Sequence, residues 1–110
     1  MNDTILVISN FPDRASAELA ANALVADRLA ACVNVLAECV SIYRWKGIVE
    51  HTSEVPLLIK TTRSAYAQLE TILRDKHPYE LPEIIALTID GGLPEYLNWI
   101  TQEVRQTIKS

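Results

Sequence analysis

The sequence predicts a single α+β domain: a four-stranded antiparallel sheet with two helices on one face and a third helix closing the chain. Three observations point there. Apolar runs of strand length and stretches of helical period follow one another in the order β-α-β-β-α-β-α. One hairpin signal, Lys46-Gly47, joins the two β-α-β units. The chain, residues 1–110, is long enough for one core and too short for a second domain.

Each element has its own local reason. Ile5-Leu6-Val7-Ile8-Ser9 is a strand with apolar residues on both faces. Asn10-Phe11-Pro12-Asp13 turns the chain, and Asp13 is placed to cap a helix running to about Leu29. Ala17, Ala20, Ala21, Leu24 and Ala31 form a small-residue stripe that lets this helix lie close on a sheet. Cys32 to Glu38 is the second strand, continued by Val40 to Trp45 past a bulge near Glu38 and Cys39. The chain returns from Ile48, and Val55 to Thr61 is the third strand. The hairpin from Val40 to Thr61 is long for so small a domain, so its tip should project beyond the sheet.

Ser64 is expected to cap a second helix with Ala65, Leu69, Ile72 and Leu73 on its inner face, ended by His77-Pro78. Ile84 to Ile89 is the fourth strand, and Asp90-Gly91-Gly92 turns the chain. Pro94 opens the last helix, where its missing N–H costs nothing, and Tyr96, Leu97, Ile100 and Val104 line its apolar side. With right-handed crossovers this order is the ferredoxin-like βαββαβ split fold plus a C-terminal helix.

Composition narrows the function. Apolar residues make up 49% of the chain, which argues against disorder. The formal charge of −4, with no Lys/Arg run, argues against nucleic-acid binding. No stretch approaches the roughly 20 apolar residues of a membrane span. The start Met-Asn-Asp-Thr carries no basic n-region, so a cytoplasmic location is expected, with Cys32 and Cys39 reduced. Their spacing matches no zinc or redox motif, and small buried hydrophobes is the plain reading.

The strand pattern says more than the fold does. A sheet covered on one side normally alternates apolar and polar residues, and these strands do not. With Ile5, Val7, Val55, Leu57, Ile59, Ile85 and Leu87 assigned to the helices, the other face still carries Leu6, Ile8, Leu58, Ile84 and Ala86. If each of the five loses about 60–100 Å² on covering, the gain is on the order of 8–12 kcal/mol. A patch of that size calls for a partner, and the same face of another copy is the simplest one.

Five segments, in order, resemble the CutA divalent-cation tolerance family over nearly the whole chain. They are Leu29-Ala30-Ala31-Cys32-Val33-Asn34, Ser41-Ile42-Tyr43-Arg44-Trp45-Lys46-Gly47, Leu58-Ile59-Lys60-Thr61-Thr62, His77-Pro78-Tyr79 with Pro82-Glu83-Ile84, and Tyr96-Leu97-Asn98-Trp99. The resemblance implies a homotrimer of ferredoxin-like subunits with an extended central hairpin, similar to the PII signalling proteins. It implies a role in tolerance of copper and other divalent cations, with no assigned catalysis. In some relatives a copper site is built from a cysteine at the end of the first strand and two histidines before a Pro-Tyr. Here those positions hold Ser9 and Lys76-His77. One ligand of the three, His77, therefore survives as the candidate for a copper or other divalent cofactor.

Other candidates are weighed residue by residue. His77 serves either as an imidazole at a helix C-terminus or as a metal ligand. His51, with Glu50 and Glu54, reads as an exposed polar side chain. Lys60, in an apolar strand, must pair with an acid or reach water; Glu83 and a bound anion are the candidate partners, and the residue reads either as half of a structural ion pair or as the lining of a pocket between subunits. Tyr43, Trp45, Tyr79 and Trp99 suit packing and ligand clefts alike. An enzyme is not expected. Asn10 and Arg14 resemble an acylphosphatase pair but lack a glycine cradle, and no Ser-His-Asp or Cys-His set is present. Two readings remain: a non-catalytic trimer binding metal ions or a small ligand at subunit clefts, and a PII-like regulator that grips a partner protein through its projecting hairpins.

Overall fold

The computed structural model describes residues 2–105. The elements are β1 (Thr4–Phe11), α1 (Arg14–Ala26), β2 (Cys32–Val35), β3 (Cys39–Trp45), β4 (Ile48–Thr62), α2 (Tyr66–Lys76), β5 (Ile84–Thr88) and α3 (Pro94–Glu103). The sheet order is β2-β4-β1-β5, with every neighbour antiparallel, and β3 pairs with the outer half of β4. Helix α1 carries the chain from β1 over β4 to β2, and α2 carries it from β4 over β1 to β5. This is the expected ferredoxin-like arrangement.

β4 is the organising strand. Its 15 residues run unbroken from the hairpin tip to Thr62. Its inner half pairs with β1 on one side and β2 on the other; its outer half pairs with β3 alone. The sequence pattern alone splits this strand at Val55 and joins β2 to β3. Instead Leu36–Glu38 separate two short strands that both lie along β4. Lys46 and Gly47, both at positive φ (50° and 82°), close the hairpin, as a two-residue turn matched to strand twist requires. The resulting arm stretches the molecule to 43 × 30 × 24 Å.

The helix ends follow local chemistry. Asp13 caps α1, its carboxylate accepting from Ser16 N–H at 2.7 Å. That bond and the Ser16 hydroxyl hold the Asp13 carboxyl below its ordinary value. The helix stops at Ala26, three residues short of the expected end, because Arg28 turns left-handed (φ 57°). Its guanidinium then bonds the Gln102 and Glu103 carbonyls at 2.8 and 3.0 Å, closing the C-terminus of α3. Ser64 does not cap α2. It sits within a 3₁₀ turn, Arg63–Ala65, that leads into the helix, and the residue before α2 is Ala65.

The core lies between the helices and one sheet face. Ile5, Val7, Phe11, Val55, Leu57 and Ile59 meet Ala17, Ala20 and Leu24 of α1 and Leu69 and Leu73 of α2, with Ile100 and Val104 of α3 joining the same cluster. Register corrects the phase assigned to the last strand. Ile84 lies opposite Ser9 and Ala86 opposite Val7, so both point to the helix side. Ile85 and Leu87, opposite Ile8 and Leu6, occupy the open side, where they are 49% and 44% exposed. Alternation fixes which residues share a face but not which face they share, and both sets here are apolar.

Ser9 stands out in this core. It is fully buried, and its hydroxyl has no hydrogen-bond partner among the described residues. Leaving such a group unpaired costs about 1–3 kcal/mol. Ser9→Ala is expected to stabilise the fold by about 1 kcal/mol, seen as a higher denaturant midpoint at unchanged m-value. A lower midpoint would mean that the hydroxyl has found a partner, such as a buried water.

Candidate functional site

The residues singled out in the sequence fall in three places. The first is a polar cluster where β1 ends. His77, just past α2, is buried, its ring 4.3 Å from the Phe11 ring and 4.8 Å from Tyr79. Its Nδ1 accepts the Tyr79 N–H at 3.2 Å, so its Nε2 carries the proton and donates to the Asn10 carbonyl. Both nitrogens are therefore engaged, and the imidazole latches the segment after α2 onto β1.

Asn10 organises the carboxylates of this cluster. Its Nδ2 donates to Glu83 at 3.1 Å and approaches Glu54 at 3.5 Å. Glu54 is buried at the point of β4 where pairing with β3 begins. Beside it, Tyr79 is pushed up to about 12, first by burial and then by its hydrogen bond to Glu54 and that carboxylate's charge. Asn10 and Glu54 were not ranked as site residues in the sequence. A carboxylate immediately before the apolar run Val55–Ile59 was the available signal.

The second place is the other end of the open face. Lys60 lies opposite Leu6 on β1 and Cys32 on β2. It donates to Asn34 Oδ1 at 2.8 Å, and its Nζ sits 5.9 Å from the Tyr96 ring. Tyr96 in turn packs 5.5 Å from Trp99 on α3. Glu83 is not the partner of Lys60. Its contact, Asn10, is four residues further along β1 than Leu6, about 13 Å at the rise of a strand.

The third place is the arm. Tyr43 bonds the Thr52 hydroxyl at 2.9 Å, and Trp45 stacks under Lys46 near the tip. His51 is exposed, and strand alternation turns it away from Glu50 and Glu54. Arg14 bonds the Leu36 carbonyl at 2.9 Å and pairs with Glu18, so it does not converge with Asn10 on a phosphate. Among the described residues no group of three or more His, Cys, Asp or Glu side chains is placed to hold a metal ion.

Residues 5–103 match the family model for the CutA1 divalent ion tolerance protein. The divalent-cation tolerance protein CutA of Pectobacterium atrosepticum is 41% identical, over 94% of this chain and 94% of its own length. Protein CutA of Mus musculus is 46% identical over 83% of this chain, and the match spans 51% of the mouse protein. The crystal structure of CutA from Xylella fastidiosa superposes with a TM-score of 0.90 at 48% identity, covering 94% of this chain and 99% of that one.

The raised Tyr79 phenol has a measurable consequence. Between about pH 10 and 12 an unfolded tyrosine ionises while folded Tyr79 keeps its proton, so the folded state binds more protons and stability falls as pH rises. Below that window the contribution is fully present. Ultraviolet titration of the four tyrosines should show a phenolate forming near 12 that is missing in Tyr79→Phe, and that variant should lose less stability across the window. Ionisation of every phenol near 10 in the unmodified protein would contradict the burial.

Proposed function

Because the chain belongs to the CutA1 divalent ion tolerance family, we propose that it serves divalent-cation tolerance without catalysis, as a homotrimer whose subunit clefts take up a divalent metal ion, copper first, or a small ligand. The family takes its name from cation tolerance, which is not an enzyme class.

The observation that carries this reading is the open sheet face. Ile85 and Leu87 stand half exposed beside the partly covered Leu6, Ile8 and Leu58, on a sheet whose other side is already filled by helices. Burying such a patch against an identical one removes an aggregation hazard and creates clefts at its margins. The candidate polar residues lie at those margins, His77, Tyr79 and Glu83 at one end and Lys60 with Trp99 nearby at the other. Tyr43 and Trp45 belong to the arm that reaches outward.

Copper does not fit a single chain. His77 has both nitrogens committed, and Ser9 offers a hydroxyl rather than a thiolate on the buried face. A metal at this site needs donors from two subunits and the release of one His77 bond. A second reading, a PII-like regulator that contacts a partner protein through projecting hairpins, is favoured by the arm, where Val40, Ile42 and Ile48 are all more than 60% exposed.

Calorimetric titration of copper(II), zinc and nickel into the unmodified protein, His77→Ala and Leu87→Glu tests the metal reading. The expected result is saturable binding of at least one ion, weakened tenfold or more both by loss of the imidazole and by a charge on the open face. Equal binding by all three proteins would remove the metal reading and leave the small-ligand cleft or the hairpin regulator.

A further inference from the structure

Lys60 presents an unusual charge balance. It projects from the open face of β4 between Leu6 and Cys32 and turns its ammonium toward the β2 margin. Its neighbours there are the Asn34 amide oxygen at 2.8 Å, the Cys32 sulfur at 4.0 Å and the Tyr96 ring at 5.9 Å, and all three groups are uncharged. Among the described residues the one ion pair is Arg14–Glu18, on α1, so no carboxylate answers the ammonium. The rest of the surrounding face is hydrocarbon: Leu6 directly opposite, Leu87 beyond it on β5, and Leu58 two residues along β4.

In the single chain Lys60 is half-buried and its partner Asn34 is exposed, so water reaches this corner; once a second subunit covers the face, the ammonium is costly unless an anion shares the site. The available donors define that anion. Lys60 has three N–H groups, of which Asn34 takes one well-aligned acceptor position. The Asn34 Nδ2 is then free to donate to a second oxygen of the same ligand. This offers one positive charge and donors for two oxygens, which is the complement of a carboxylate. A phosphate monoester, with nearly two charges and three acceptor oxygens, would want a second cation, and among the described residues none stands at this corner. The Tyr96 ring, 5.9 Å from the ammonium, and Leu6, opposite Lys60 on β1, suit a short apolar body.

We infer that this corner, between the open face and α3, binds a small organic acid by its carboxylate, with Lys60 and Asn34 holding the oxygens and the hydrocarbon part lying along Leu6 and Tyr96. The inference rests on the subunit-cleft reading for the wall that would close the site, and it adds the ligand class that the reading leaves open.

The test is a titration of the full chain, followed by amide ¹⁵N–¹H shifts, with hexanoate, hexanol and inorganic phosphate as probes. Hexanoate should give saturable shifts on β2 and on β4 around Lys60. Hexanol and phosphate should each bind at least tenfold more weakly. Lys60→Met should weaken hexanoate at least tenfold. Asn34→Asp, which places an internal carboxylate on the ammonium and needs no other change in packing, should do the same and serves as the second variant if Lys60→Met fails to fold. Hexanoate binding unchanged in a folded variant, or matched by hexanol or phosphate, overturns the site. The mass of the same samples by sedimentation reports on the cleft separately: single chains that still bind hexanoate through Lys60 would end the subunit-cleft reading and keep the carboxylate site.

Discussion

An antiparallel sheet can hide one face beneath its own helices, and here both faces are apolar. Helices α1 and α2 fill the side lined by Ile5, Val7, Leu57 and Ile59 to near-complete burial. Among the described residues the opposite side has α3 alone to draw on, and the C-terminal part of the chain spends Ile100 and Val104 on the main core. Tyr96 is the side chain of α3 that reaches Lys60 on the open side, and Ile85 and Leu87 remain half exposed. At roughly 25 cal/mol per Å² this surface is worth several kcal/mol to whatever covers it. The family membership, the projecting arm and the polar groups at both margins of the face all bear on what that cover is.

The polar cluster at the end of β1 shows how the fold satisfies two of its buried polar groups, His77 and Glu54. His77, Asn10, Glu54, Glu83 and Tyr79 come from three separate parts of the chain and satisfy one another through hydrogen bonds. The imidazole in this cluster acts first as a structural latch. Whatever chemistry it has toward metals competes with two existing bonds. At the other end of the face Lys60 has no such network, only neutral contacts, and that asymmetry separates a self-satisfied corner from one with charge to offer.

Much of the fold was legible because each local signal agreed with the next. Asp13 before an alanine-rich helix, Lys46-Gly47 between apolar runs and Pro94 at a helix start all did what their chemistry prescribes. The helix end at Ala26 was not legible, because a left-handed Arg28 stabilised by the carbonyls of α3 is a tertiary contact between distant residues. The unbroken run of β4 was hidden by Glu50, His51 and Glu54, whose polarity mimics a loop although pairing with β3 holds the backbone extended. The phase of β5 could not be read, since Ile84 and Ala86 are as apolar as Ile85 and Leu87 and only the register with β1 distinguishes them. Lys60 was placed on the correct face. Its expected partner Glu83 was not, because closeness in the order of elements says nothing about position along a strand.

That a second copy shares the open face is tested most directly by the mass of the unmodified protein in dilute solution. Light scattering at low micromolar concentration should return three chains of 12.3 kDa each, holding together on further dilution. A cooperatively folded particle with the mass of a single chain would contradict the account, since it would show this sheet to be stable in water with its second apolar side bare.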